Sequence, residues 1–433
     1  MTCDLRQLIG SAMGEITRDR KRAEKEERDM SKIEWTEKVW NPIVGCSLAS
    51  PGCTNCYAMS MAHRLGHNPA TPHYAGTTRR VNGNTVWTGN LAMAPDHVLT
   101  APLRRMKPTT YFMNSMGDLF HEDVPEDWID RVFAVMALCP QHKFQVLTKR
   151  AARMRDYVLG SNIDRPRRYN ISDAVEPIAT AHKYWKGDGP TAWDAAVAHA
   201  LHARHWPLPN VWLSVSVEDQ RRADERIPDL LATPAAIRFI SAEPLLGPVD
   251  ISPWLNGCYE CAAECGYRAG NSNPPRQEKC HHCGLEGDFL GEFCSECGLQ
   301  DFGYLCPNCA ANVVQFHPDT TILDWVITGG ESGPGARPMH PDWARSLRDQ
   351  CVAAEVPFFF KQWGDWVPGE NIIEPRFGYC ADAKWWDGKW LFGETRMDDP
   401  EDKWDTPADL YRVGKRAAAR YLDGREWNEV PTP

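Results

Sequence analysis

Short apolar runs recur along the chain, each ending in polar or glycine residues and several followed by a stretch with helical spacing. The clearest are 111–116, 144–147, 211–217, 237–241, 325–328 and 356–360. Nearly continuous apolar runs of this length predict strands covered on both faces, as parallel sheets require. Their downstream tips read GDLFHED, TKR, EDQ, AEPLLG, GGESG and KQWG, and the segments 128–138 and 341–355 between them read as helices. Strand, polar tip and helix, repeated about six times, predict an α/β fold built from parallel βαβ units. A doubly wound sheet and a barrel both satisfy this pattern. The expectation adopted is a partial TIM-type (βα)6 barrel of parallel strands with a zinc-ribbon insertion. Chemistry then gathers at the C-terminal ends of the strands, where the polar tips stand.

Breaks in the rhythm divide the chain. Residues 1–30 form a charged N-terminal extension ending in ITRDRKRAEKEERDM, and 31–255 the first part of the barrel. Within it, about 155–208 reads as a helical insertion carrying DRPRRYN and AWDAAVAHALHARH. A cysteine-rich insertion fills 256–317, the last part of the barrel 318–370, and a C-terminal extension 371–433. That extension closes on VGKRAAARYLDGREWNEVP, which reads as a terminal helix and tail.

Composition narrows the function. A net charge of -10 argues against a protein that coats nucleic acid by bulk electrostatics, although a local basic groove is compatible with it. No run of eighteen apolar residues and no secretory leader is present, so a cytoplasmic location without a membrane partner is expected. Thiols stay reduced there, and the 16 cysteines at short spacings read as metal ligands rather than disulfides.

Four CxxC pairs follow one another: Cys258 with Cys261, Cys280 with Cys283, Cys294 with Cys297, and Cys306 with Cys309. A two-residue spacer lets both thiolates reach one tetrahedral ion, and each structural zinc takes two such pairs, so two Zn2+ are expected. Sequential and interleaved pairings both fit, and Cys265 is a substitute for Cys258. Few apolar residues lie between the pairs, so metal binding must supply the folding energy.

A separate cluster lies in WNPIVGCSLASPGCTNCYAM, where Cys46, Cys53 and Cys56 are spaced by six and two residues. Three thiolates rather than four suit a 4Fe-4S cluster with one iron left open, because structural clusters and structural zinc sites normally take four protein ligands. The competing reading is a zinc ion completed by His63 or His67.

The run IEWTEKVWNPIVGCSLASPGCTNCYA, with MNSMGDLFHEDVP, FQVLTKR, VWLSVSVEDQ, RFISAEPLLGPV, DWVITGGESGPGARPMHPDWARSLRDQC, PFFFKQWG and GKRAAARYLDGREW, resembles a family of phage and bacterial proteins of unknown function. That family is related to radical S-adenosylmethionine enzymes, including spore photoproduct lyase-like ones. The resemblance implies a cluster held by the first loop of a partial barrel, S-adenosyl-L-methionine chelating the open iron, and its reductive cleavage to a 5'-deoxyadenosyl radical. The usual loop of those enzymes spaces its cysteines by three and two, with an aromatic residue before the last. Here Asn55 precedes Cys56 and Tyr57 follows it.

The strand tips supply candidate contacts for that cofactor. Ser115 and Asp118 stand where such enzymes accept its amino group, Asp118 being otherwise a helix cap. Lys149 and Arg150 suit a carboxylate or phosphate. Ser214, Ser216 and Glu218 share one side of a strand and suit a ribose, while Glu243 and Glu331 complete a ring of carboxylates. Gly329, Gly330, Lys361 and Gln362 line the same mouth.

The leading functional expectation is a radical S-adenosylmethionine-type enzyme acting on a nucleic acid or nucleotide, served by a reductase or other electron donor. Its nucleic-acid part rests on the resemblance, on Arg150, Arg153, Arg155, Arg165, Arg167 and Arg168, on the zinc knuckles, and on Trp363 and Trp366 as stacking platforms. Two other classes compete: a non-catalytic iron–sulfur and zinc protein that binds nucleic acid or a partner, and a zinc-dependent hydrolase.

Overall fold

The computed structural model describes residues 33–160, 167–181, 206–255, 323–372, 378–397, 409–418 and 420–431. The zinc-ligand candidates Cys258, Cys261, Cys265, Cys280, Cys283, Cys294, Cys297, Cys306 and Cys309 lie outside them, as do the N-terminal extension, Arg165 and AWDAAVAHALHARH.

Seven strands form one sheet: β1 (Lys38–Trp40), β2 (Thr110–Met113), β3 (Lys143–Thr148), β4 (Val211–Ser216), β5 (Ile237–Ala242), β6 (Trp325–Gly329) and β7 (Phe358–Gln362). Every pairing is parallel, and each strand pairs with the next in the chain. Strand order without reversal is that of a barrel rather than a doubly wound sheet, because right-handed crossovers then all fall on one face. Seven strands stand where about six were expected, since Lys-Val-Trp of β1 is too short to register as an apolar run.

Trp35 demonstrates the curl. Strands in a flat sheet lie about 4.8 Å apart, which would put β2 and β6 roughly 19 Å from one another. Yet the Trp35 ring lies 4.8 Å from that of Phe112 on β2 and 6.1 Å from that of Trp325 on β6. The sheet is therefore a curled half-barrel with Trp35 in its concavity. Alternation sends Phe112, Trp212, Phe239, Trp325 and Phe359 into that inner cluster. Continuing the same parity toward the strand ends brings Ser214, Ser216, Ser241 and Lys361, an aromatic floor giving way to a polar rim.

The opposite parity packs under the helices. Tyr111, Met113, Phe144, Val146, Leu213, Val215, Ile240, Val326, Phe358 and Phe360 join the main core. α1 (Tyr57–Gly66) precedes β2, and α2 (Glu126–Ala137) opens with Glu126 and Asp127 in its first turn, where acidic groups favour the helix dipole. Ile129, Val132, Phe133 and Met136 give α2 its buried stripe. α3 (Ala151–Leu159) and α4 (Arg167–Ala181) lie between β3 and β4. Asp219 caps α5 (Gln220–Leu231) by accepting from Arg222 N, and His340 caps α6 (Pro341–Ala353) by accepting from Asp342 N.

The C-terminal extension differs from expectation. β8 (Trp366–Pro368), β9 (Tyr379–Trp386), β10 (Lys389–Arg396) and β11 (Asp409–Arg412) form an antiparallel sheet. The described part of 413–431 makes turns and isolated bridges instead of a terminal helix. Arg420 donates to the carbonyls of Phe360 and Lys361, and Phe359 bridges to Asn428, so tertiary contacts with β7 override helix propensity there.

Candidate metal centre

The first cysteine reaches the mouth through a turn only glycine accommodates. Gly45 has φ +95°, pairs in parallel with Gly117 beyond β2, and a Cβ on it would lie 2.1 Å from Asn90 O. Cys53 closes the single turn Pro51–Cys53, and Cys56 is the N-cap of α1. All three are free thiols, Cys53 buried and the others half-buried. Burial pushes the Cys46 thiol up to about 12, with Asp118 adding to the effect and Arg150 opposing it. Burial likewise raises Cys56, opposed by a hydrogen bond from the Ala58 backbone and by Lys149. Their anionic forms need positive charge close by.

Three strand ends hold this loop, each next to a different cysteine. At the end of β3, Arg150 Nη1 lies 3.8 Å from Cys46 Sγ, and its Nη2 donates to Ser47 Oγ at 2.8 Å and Ser47 O at 3.3 Å. Beyond β4, Glu218 Oε1 accepts from Gly52 N at 3.3 Å, one residue before Cys53. Beyond β6, Glu331 Oε2 accepts from Asn55 Nδ2 at 2.9 Å, one residue before Cys56.

Each anchor is itself fixed. Asp118 Oδ2 accepts from Arg150 Nη1 at 2.9 Å and from Lys149 N, while Oδ1 accepts from Thr148 Oγ1 at 2.7 Å and Phe120 N at 3.0 Å. Glu122 takes Arg150 Nε at 2.9 Å. Burial alone would raise the Glu218 carboxyl, but Lys149 and Arg226 hold it below the usual range, Arg226 Nη1 donating at 2.9 Å. Burial likewise opposes ionisation of Glu331, yet hydrogen bonds from Arg337 and Asn55 keep its carboxyl low. Arg337 also donates to Pro51 O at 3.0 Å, a second grip on the loop.

One charged pair of the rim touches no loop residue through a hydrogen bond. Lys361 Nζ lies 3.1 Å from Glu243 Oε1 and 3.4 Å from Oε2, with Ser241 Oγ donating to Oε2 at 3.1 Å. Burial would lower the Lys361 ammonium; Glu243 and Glu34 outweigh it and raise it. Ser115 Oγ contacts Asn41 Oδ1 at 3.2 Å, and its carbonyl faces Tyr57 Oη at 3.5 Å.

With this geometry in view, comparison with known proteins is decisive at the level of family only. The model of the family described as "Protein of unknown function (DUF5131)" matches residues 30–431. The chain belongs to that family. No curated protein and no solved structure gives a significant match. The matched span takes in both the half-barrel and the antiparallel sheet of this DUF5131 protein.

The expected site residues separate into groups. Cys46, Cys53, Cys56, Asp118, Lys149, Arg150, Glu218 and Glu331 meet around one loop, whereas Glu243 stands apart with Lys361. Ser214 is fully buried and donates to Val146 O, and the carbonyl of the buried Ser216 accepts from Arg226. Glu122, Arg226, Arg337 and Ser47 were not singled out by sequence, and Asn55 only as the residue before Cys56; Asn55 and Ser47 carry the one usable signal, adjacency to a cysteine.

Arg150, Arg153, Arg155 and Arg167, four of the six arginines read as a basic cluster, are engaged with other groups of the protein. Arg150 pairs with Asp118 and Glu122, Arg155 with Asp156 and Asp229, and the buried Arg167 with Glu126 and Asp130. Arg153 donates to Val124 O. Trp363 and Trp366 are buried, with indole N–H groups on Tyr421 O and Ala336 O, which removes both as stacking platforms. No helix among the described residues is long and apolar enough to cross a membrane.

Proposed function

We propose that this protein is an iron–sulfur enzyme of the radical S-adenosylmethionine type. The observation that carries the reading is the anchoring of one three-cysteine loop over the C-terminal mouth of a parallel half-barrel by three different strand ends, each beside a different cysteine. Among the described residues the other free cysteines, Cys139, Cys351 and Cys380, are buried in the main core. Three thiols without a fourth fit a 4Fe-4S cluster that keeps one iron for another ligand.

A single zinc ion fits less well. The competing reading completes the three cysteines with His63 or His67. His63 Nδ1 faces Thr78 Oγ1 at 3.3 Å, and His67 Nδ1 faces His63 O at 2.7 Å.

When bound, the cluster and S-adenosyl-L-methionine would supply an open iron and a reducible sulfonium. The chain's own part is to desolvate the thiols, fix the loop and place cationic Arg150 and Lys149 beside Cys46 and Cys56. Asp118, Glu218 and Glu331 serve the loop, which leaves Ser115, Glu243 and Lys361 for ligands. A nucleic-acid or nucleotide substrate, an electron-donating reductase and two structural Zn2+ on the CxxC pairs complete the proposal. These three rest on sequence and resemblance.

Anaerobic reconstitution with iron and sulfide, then reduction with dithionite in the presence of S-adenosylmethionine, tests the reading. The expected product is 5'-deoxyadenosine, abolished in Cys53→Ala. A reducible cluster that never cleaves the cofactor would reassign the protein as a non-catalytic binder. A colourless protein with zinc on the triad would overturn the iron assignment.

A further inference from the structure

We infer that the Glu243–Lys361 pair, with the exposed Tyr57 ring on the same mouth, forms a recognition element for a neutral planar heterocycle whose edge carries adjoining hydrogen-bond donor and acceptor atoms, as nucleobases do. The inference deepens the proposed function, resting on it only for the premise that substrate is held at this mouth.

The pair spans three strands. Glu243 follows β5 and Lys361 is the last residue but one of β7, so the two meet across the end of β6 at Gly329. A methyl group there would lie 2.6 Å from Glu243 Oε1 and 3.4 Å from Lys361 Cβ, so glycine leaves the space that lets them meet. Both share the inner-face parity of the aromatic floor below, Lys361 following Phe359, and Glu243 following Phe239 and Ser241.

The pair also has bonding capacity to spare. An ammonium has three N–H groups and each carboxylate oxygen two lone pairs. Among the described residues, Lys361 Nζ makes its polar contacts with the two Glu243 oxygens, and Glu243 Oε1 is contacted by Lys361 alone. A donor and an acceptor therefore remain side by side. A lone phosphate or carboxylate would suit Lys361 but be repelled by Glu243, whereas a base edge satisfies both at once.

Tyr57 supplies the face. It follows Cys56 directly, is 58% exposed, and its hydroxyl faces Ser115 O at 3.5 Å, beyond β2 on the same mouth. An aromatic face next to an edge-reading pair is how proteins hold unstacked bases.

Uridine and 3-methyluridine test this, because the methyl group blocks the N–H of the edge and leaves the ring. Binding is measured calorimetrically on the full chain, with and without a reconstituted cluster. Uridine should bind about tenfold or more tightly than its methylated analogue. Replacing both members, Glu243→Met with Lys361→Met, avoids stranding a lone charge and should abolish the preference. Tyr57→Ala, at an exposed position, should weaken both ligands alike. No uridine binding at millimolar concentration, equal binding of the two nucleosides, or a preference that survives the double replacement would each overturn the inference. Failure to take up iron would strike the enzyme assignment instead, since edge preference is read in the cluster-free protein as well.

Discussion

Arg150 brings Nη1 to 3.8 Å from the Cys46 sulfur while the same nitrogen donates to Asp118 Oδ2 at 2.9 Å. One guanidinium thus ties the cysteine loop to the ends of both β2 and β3. Its remaining groups reach Glu122 and Ser47, and a single positive centre stands among two carboxylates and a thiol. A planar fork can satisfy that many partners in fixed directions; a lysine cannot.

Arg150→Met should therefore leave Asp118 buried without its cation and cost about 3–5 kcal/mol in denaturant unfolding, as breakage of a buried ion pair does. Arg150→Lys should recover only part of this. Pairing Arg150→Met with Asp118→Asn should recover more than Arg150→Lys, because the stranded carboxylate is then neutral. A double variant no more stable than Arg150→Met alone would show that the guanidinium acts through packing.

Glu218 is the fully buried anchor, with Lys149 at 3.7 Å and Arg226 at 2.9 Å. Glu218→Ala frees the Gly52 amide and strands both cations, so proteolysis between residues 46 and 56 should accelerate at least tenfold. Its carboxyl is held below the usual range, so the stability it contributes is present above its unfolded pKa and lost as pH falls through the lower folded value. Denaturant melts of wild type and Glu218→Gln should converge as the pH is taken below about 4.

Much of this was legible in the sequence, for reasons that also mark where legibility ends. Strands such as Val211–Ser216 stand out because every residue is buried, which makes the apolar run continuous. β9 carries YCADAKWW with Tyr379 and Trp386 exposed and Asp382 buried, so its burial does not follow hydrophobicity and no apolar run marks it. The three cysteines announce themselves by spacing. Asp118, Glu218 and Glu331 were correctly placed at strand ends, but position along a chain does not say which way a carboxylate turns. Each is paired with an arginine and braces the loop, Asp118 through Arg150 and Glu218 and Glu331 by accepting directly from Gly52 and Asn55. Ring-shaped arrays of charge at a barrel mouth read the same in sequence whether they face a ligand or brace the element that holds it.

Asp324 gives a pH test remote from the mouth. Burial pushes its carboxyl up to about 6 despite the Arg238 backbone hydrogen bond and side-chain charge. The folded state thus disfavours ionisation, and stability should fall as pH rises from about 4 to about 6, by on the order of 2–3 kcal/mol. Asp324→Asn should lack this decline. Urea unfolding across that interval separates the two, and identical slopes would remove Asp324 as the cause.

Gly45 and Gly247 make a matched comparison for the loop. A Cβ at Gly247 would meet only Asp219 Cβ at 3.6 Å, ordinary contact, and Gly247→Ala should change stability by about 0.5 kcal/mol or less. At Gly45 the Cβ would stand 2.1 Å from a backbone carbonyl at φ +95°, where neither partner is a flexible side chain. The turn must shift, and with it Cys46, the Gly45–Gly117 bridge and the Arg150 contact. Gly45→Ala should lose iron on reconstitution while keeping the far-ultraviolet dichroism of the half-barrel, because Trp35 and the aromatic floor lie at the other end of the strands. Full iron uptake by Gly45→Ala would mean that Cys46 does not need this turn. The three-anchor account of the loop would then fail at its first cysteine.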